Sequence, residues 1–157
     1  MKHFLCAVAL VPLLSFAAPA ADSGTGASFK GPVGLQLYSL RGIATQNPPK
    51  ALSQTKDFGL TLVETAGTYN LPPEKFKALL AEHGLKPISG HFPYDRWKAE
   101  PEKVLAEAKA IGLQFAGCAW INHKAPFSEA AAREAAAVFN KAGELGSQQG
   151  IKAFYHA

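Results

Sequence analysis

Residues 72–91, Pro72-Pro73-Glu74-Lys75-Phe76-Lys77-Ala78-Leu79-Leu80-Ala81-Glu82-His83-Gly84-Leu85-Lys86-Pro87-Ile88-Ser89-Gly90-His91, read from end to end as one helix followed by one strand. Two prolines introduce the helix, in a first turn whose backbone N–H groups have no intrahelical partner to lose. Phe76, Leu79 and Leu80 recur at the helical period and form one apolar face. Gly84 then supplies the left-handed conformation that closes a helix at little cost. Beyond it, Leu85 to His91 begins apolar and finishes on Ser89-Gly90-His91, a polar strand end.

The same order of parts recurs on both sides. A helical segment, a glycine and an apolar start meet at Phe58-Gly59-Leu60, His83-Gly84-Leu85, Ile111-Gly112-Leu113 and Gln149-Gly150-Ile151. These glycines stand 25 to 38 residues apart, the size of one βα unit. The first helix, opened by Pro48 or Pro49, is expected to bury Ala51, Leu52, Thr55 and Phe58. The third, with Pro101 in its first turn, offers Val104, Leu105, Ala108 and Ile111. The fourth begins at Ser128 as N-cap and buries Ala131, Ala135, Val138, Phe139, Ala142 and Leu145. Strands are expected within Val33–Tyr38, Leu60–Glu64, Leu85–His91, Leu113–Trp120 and Ile151–His156.

Outward to the N-terminus the pattern stops. Lys2 and His3 precede an apolar run from Phe4 through Leu14, and Ala18-Pro19-Ala20 presents the small residues a signal peptidase cuts behind. Residues 1–20 therefore read as an export signal cleaved after Ala20, with a periplasmic or extracellular destination. The apolar run is too short to span a bilayer stably. Residues 21–31 are Ser/Gly/Ala-rich and read as a flexible leader, leaving residues 32–157 as the folded domain. Of the two cysteines only Cys118 lies in that domain, so no internal disulfide is available and packing must hold the fold. The formal charge of +4 is spread without a Lys/Arg run, which speaks against nucleic-acid binding, and no membrane association is expected once the signal is removed.

Alternating strands and helices predict an α/β fold with a parallel sheet, about four βα units plus a fifth strand. No glycine-rich phosphate loop follows the first strand, which disfavours a dinucleotide-binding domain. Five such strands suit either an open flavodoxin-like sheet or part of an eight-stranded (β/α) barrel. Polar residues gather at every strand's C-terminal end: Tyr38-Ser39, Glu64-Thr65, Ser89-Gly90-His91, Trp120-Ile121-Asn122 and Tyr155-His156. In barrels that rim carries the chemistry, which favours the barrel.

The rim supplies the candidate site. Gln36 and Tyr38 alternate with Leu35 and Leu37, which places the polar pair inward to fill the floor and edge the pocket. Glu64 either orients a substrate or bonds a neighbouring strand-end residue. His91 either polarises a substrate oxygen or is a hydrogen-bonded rim histidine. Trp120 offers a face on which a sugar ring could stack or serves as rim packing. His156 closes the last strand. His83 suits the helix dipole better than chemistry, and Cys118 lacks a partner base. A Ser/His/Asp constellation, an HExxH run and paired cysteines are all missing from the sequence.

In order along the chain, four of these segments resemble the sugar phosphate isomerase/epimerase family, the xylose isomerase-like TIM barrels. Val33-Gly34-Leu35-Gln36-Leu37-Tyr38-Ser39-Leu40-Arg41 resembles that family's first strand. Gly59-Leu60-Thr61-Leu62-Val63-Glu64 resembles its second, which a glutamate often ends, and Gly84 to His91 its third, with the Ser-x-His finish. Gly150-Ile151-Lys152-Ala153-Phe154-Tyr155-His156 resembles its fifth, which in the family continues as Tyr-His-Asn-His; here Ala157 follows. The resemblance implies interconversion of sugars or related polyols by a metal-assisted proton or hydride shift. It implies Glu64, His91 and His156 as catalytic groups and Gln36, Tyr38 and Trp120 as substrate contacts. Its divalent metal (Mn, Mg, Co or Zn) would sit on two carboxylates and an Asp/His pair of the fifth to eighth strands. The quoted segments supply the barrel's front half, so this chain is expected to be a truncated family member that ligates no metal fully. The alternative is a catalytically inactive half-barrel that binds or assembles, with self-association through its open edges.

Overall fold

The computed structural model describes residues 31–156. The expected export signal and all but the last residue of the expected leader lie outside the described residues. Five strands, β1 (Gly34–Gln36), β2 (Leu62–Thr65), β3 (Lys86–His91), β4 (Phe115–Cys118) and β5 (Lys152–Tyr155), form one parallel sheet in the order β1-β2-β3-β4-β5. That order decides between the two architectures the sequence left open. A doubly wound sheet reverses its strand order at a switch point. Here each crossover steps to the next strand in the same direction, and right-handed crossovers of one direction place all helices on one side. The result is an open arc of barrel wall.

The helices are α1 (Arg41–Ala44), α2 (Pro48–Asp57), α3 (Pro73–Glu82), α4 (Tyr94–Ala99), α5 (Pro101–Ile111) and α6 (Glu129–Gln148). Their limits follow the punctuation in the sequence. Pro48, Pro73 and Pro101 occupy first-turn positions, and Ser128 caps α6 by accepting the Ala131 N–H. Gly59, Gly84, Gly112 and Gly150 all adopt positive φ, from 66° to 93°, as predicted for helix-closing glycines. None of the helices among the described residues is long and apolar enough to cross a membrane.

The core lies between the outer face of the sheet and the helices. Val63, Thr65, Ala116 and Cys118 point outward from β2 and β4 and meet Phe76, Leu80, Val104, Leu105 and Ile111, all buried. Each large apolar side chain taken from water contributes roughly 1.5–3 kcal/mol, so this face carries most of the stability. Trp97 of α4 plugs the layer and donates its indole N–H to the Gly117 carbonyl at 3.1 Å.

Two expectations need correction. Phe58 was placed on the buried face of the first helix; it is 51 % exposed, because α2 ends at Asp57 and the chain unwinds there. The first strand stops at Gln36 and gives way to a 3-10 turn over Leu37–Leu40, so Tyr38 edges the site but does not reach its floor. α1 and α4 had no sequence counterpart, since four and six residues are too few to show a period.

Candidate functional site

Parallel pairing sets residues of neighbouring strands side by side on one face. Gln36 is paired with Glu64, and Glu64 with Ser89. A register shift between Val63 and Glu64 re-aims β2 at that point, so that Glu64 aligns with Ser89 and not with Ile88. The three side chains form one hydrogen-bonded row. Gln36 Nε2 donates to Glu64 Oε1 at 2.7 Å, and Ser89 Oγ donates to Glu64 Oε2 at 2.6 Å.

Two residues further along β3, His91 stands on the same inner face and brings its Nε2 to 3.3 Å from Glu64 Oε1. Distance alone does not make this a hydrogen bond: the geometry fails, and the buried Nε2 has no partner among the described residues. His156 joins from β5, anchored by its own amide, which donates to the Cys118 carbonyl at 2.9 Å. The His91 and His156 rings meet edge to face with centroids 5.1 Å apart. Gly117 of β4 makes room for this group, because the Phe154 ring lies across it beside His91. A Cβ at Gly117 would come within 2.6 Å of that ring.

Burial pushes the Glu64 carboxyl up, but the hydrogen bonds from Gln36 and Ser89, with the charges of His91 and His156, outweigh it and leave Glu64 below its ordinary range. For His91, burial is the largest influence and lowers it; Glu64 pulls the other way, and His156 adds to the lowering. At neutral pH the site therefore pairs an ionised carboxylate with a neutral imidazole.

The cluster opens into a cavity of about 590 Å³ lined by Gln36, Tyr38, Gly67, His91, Trp120 and His156, among others. A volume in the usual range for small-molecule sites suits one monosaccharide-sized ligand. Tyr38 and Trp120 are both exposed and form its walls; Arg41 stacks over the Tyr38 ring at 4.4 Å. Trp120 packs against His123, which packs in turn on Phe127. An adjoining cavity of about 550 Å³ shares Tyr38, His91 and Pro93 and is walled by Arg41, Tyr69 and Arg96.

All six residues singled out in the sequence reach this place. Glu64, His91 and His156 converge with Gln36, while Tyr38 and Trp120 form the rim. Ser89 was read as strand-end polarity but not as part of the site. Its signal was the parity it shares with His91, two residues away on the same strand face. Ala66, Gly67, Phe92 and Pro93, from the loops after β2 and β3, carry no sequence signal of a pocket. His83 behaves as expected, its Nδ1 2.9 Å from the Leu79 carbonyl at the end of α3. The carboxylates and Asp/His pair that would hold the metal implied by the resemblance are not among the described residues, so that donor set is not supplied here and no chemical step is assigned to the ion.

A scan against protein-family models gives no match, and neither does a search of the curated proteins. Solved structures do match. The fold is similar to a sugar phosphate isomerase/epimerase from Parabacteroides distasonis ATCC 8503, with 24 % identity and a TM-score of 0.68 over 88 % of this chain and 55 % of that one. A second sugar phosphate isomerase/epimerase from the same organism aligns at 21 % identity and TM-score 0.65, covering 81 % of this chain and 55 % of its own. An AP endonuclease, family 2, from Brucella melitensis aligns at 13 % identity and TM-score 0.63, covering 80 % and 55 %. The chain thus spans about 55 % of the length of these structures, and what it shares with them is the fold: five parallel strands with their helices, an unclosed, partial TIM-barrel-like sheet.

Proposed function

We propose that the strand-end cavity takes a small sugar or polyol, free or phosphorylated, and that Glu64 and His91 move the proton beside its carbonyl, the chemistry of a sugar isomerase or epimerase. The carrying observation is the row Gln36–Glu64–Ser89 with the unpartnered Nε2 of His91 beside it. A buried polar nitrogen without a partner is costly unless something else meets it. A substrate hydroxyl or carbonyl oxygen entering the cavity would meet it, through whichever tautomer the imidazole adopts.

Glu64 is held ionised and oriented by its two neighbours, as a general base requires. In the proposed step it takes the proton from the carbon next to the carbonyl, while His91 hydrogen-bonds the oxygen on which charge develops. Return of that proton to the former carbonyl carbon, with the hydroxyl proton passing by way of the His91 imidazole to the former carbonyl oxygen, interconverts aldose and ketose; protonation of the original carbon on its opposite face instead inverts it. Tyr38 and Trp120 supply the flat surfaces on which a sugar ring rests. The +4 charge without a basic tract gives no support to a nucleic-acid substrate.

The test is proton NMR in D2O with a panel of aldoses, ketoses and their phosphates. Saturable binding, with deuterium appearing at the carbon beside the carbonyl and lost in Glu64→Gln, is the expected result. No binding by any member of the panel would overturn the reading. Binding without exchange would favour a second reading, a half-barrel binding and assembly module. That reading draws on the β1 and β5 edges, which pair with no further strand in the described sheet, and on Tyr155, exposed on β5. Size-exclusion chromatography across concentrations would show the self-association it requires.

Export belongs to the same proposal and is supported by Lys2, the apolar run to Leu14 and Ala18-Pro19-Ala20. N-terminal sequencing of the chain recovered from a periplasmic extract should begin at Ala21.

A further inference from the structure

We infer that Glu64, His91 and His156 form a binding site for a divalent transition metal, one carboxylate and two imidazoles from the ends of β2, β3 and β5. Donor atoms of the three side chains all lie within 4.8 Å of one another. Around a tetrahedral ion with bonds of roughly 2.0–2.2 Å, donors stand about 3.3–3.6 Å apart. Glu64 Oε1 and His91 Nε2 already stand at 3.3 Å. The remaining closure falls to His156, which is exposed and free to change rotamer.

Three further observations point the same way. The His91 Nε2 is buried without a hydrogen-bond partner, the state of a ring nitrogen whose lone pair is kept for something else. Gln36 and Ser89 each bond one oxygen of Glu64, the outer support that ligating carboxylates ordinarily have. Two imidazoles among three donors select zinc, cobalt, iron or nickel over magnesium or calcium, which prefer oxygen throughout. Three protein ligands leave coordination positions open, and the cavity between Tyr38 and Trp120 is where they would face.

This donor set is drawn from the second, third and fifth strands. It shares only the fifth strand with the set on strands five to eight that the resemblance implies, and takes its other two ligands from strands that set does not use. The inference rests on the cavity of the proposed function and makes Glu64 and His91 ligands, in place of their proton-moving roles, whenever the ion is bound; metal binding is measurable with no sugar present, so the two can fail separately.

Titration of the untagged full chain with Co(II) provides the test. Visible absorption bands of a four- or five-coordinate ion, saturating at one Co(II) per chain and bleached by Zn(II), are expected. His91→Ala and Glu64→Ala should abolish the bands. His156→Ala changes an exposed side chain, so it should leave the fold intact and weaken binding at least tenfold. Gln36→Leu should weaken it about 10- to 100-fold through the support it removes. His83→Ala, far from the cluster, should leave the titration unchanged. Only the pale spectrum of six-coordinate aqueous cobalt, or full binding retained in His156→Ala and His91→Ala, would overturn the inference. Should the buried variants fail to fold, the exposed His156→Ala and the thermal shift of the wild-type chain with Zn(II) still decide it.

Discussion

The two faces of one sheet are built to opposite rules. Outward, β2 and β4 present Val63, Thr65, Ala116 and Cys118 to helices that leave them almost no contact with water. Inward, the same strands and their neighbours present Gln36, Glu64 and Ser89, hydrogen-bonded to one another across the strands, with His91 beside Glu64 and, like Gln36, lining an open cavity. The outer face is generic in composition and specific in packing; almost any well-fitting apolar set would serve. The inner face gains little from burial and depends on which residue stands beside which. Apolar packing and polar pairing are thus divided between side chains one position apart in sequence.

Substitutions should separate the two. The largest effect belongs to the outer face: Trp97→Ala should cost about 3–5 kcal/mol in urea unfolding, through the cavity it leaves and the lost bond to the Gly117 carbonyl. An effect below 1 kcal/mol would show that α4 does not carry the core. Next comes Gly117→Ala, which tests whether the inner face is packed as well as polar. Its new methyl would strike the Phe154 ring, with an expected loss of about 1–3 kcal/mol and a displaced His91 signal in NMR spectra. Ser128→Ala, on neither face, should cost about 1 kcal/mol by removing the α6 cap.

The smallest effect in stability, and the most specific, concerns pH. Glu64 sits below its ordinary value of 4.5 when folded, so its contribution is present above 4.5 and is lost as pH falls through the folded value. His91 is also lowered, from 6.5, so the unfolded chain takes up its proton first; this penalty sets in as pH drops from 6.5 toward the folded value. Both signs agree: acid destabilises the inner face. Glu64→Gln should flatten the stability profile below pH 4.5, and Trp97→Ala should lower it by the same amount at every pH. Parallel profiles for wild type and Glu64→Gln would contradict the division of labour between the faces.

The outer face was the more legible in sequence. Pro-to-Gly punctuation and the 3.6 period located α2, α3, α5 and α6, because burial of a helix face repeats and repetition is visible. Phe58 misled because periodicity does not register where a helix ends. The inner face was legible only as a set of strand ends. Tyr38 could be numbered onto the inner side by alternation, but the 3-10 turn that rotates it to the rim has no pattern of its own. Ser89 went unassigned because its partner, Glu64, is 25 residues away and aligned by a register shift that no local signal announces. Long-range register is a property of the assembled sheet.

The bond from the His156 amide to the Cys118 carbonyl has a kinetic consequence. That bond is the last rung between β4 and β5, and β5 lies at the edge of the described sheet. Rungs at a sheet edge open far more often than those at its centre. Each opening carries His156 away from Glu64 and His91, so the three-residue constellation exists only for the closed fraction of the time. Any affinity that depends on all three is discounted by that fraction. Whatever zips the edge shut, whether a bound ligand or a neighbouring strand, would act as a positive effector of the site without touching it. Hydrogen exchange at the His156 amide then becomes a direct gauge of how often the site is assembled.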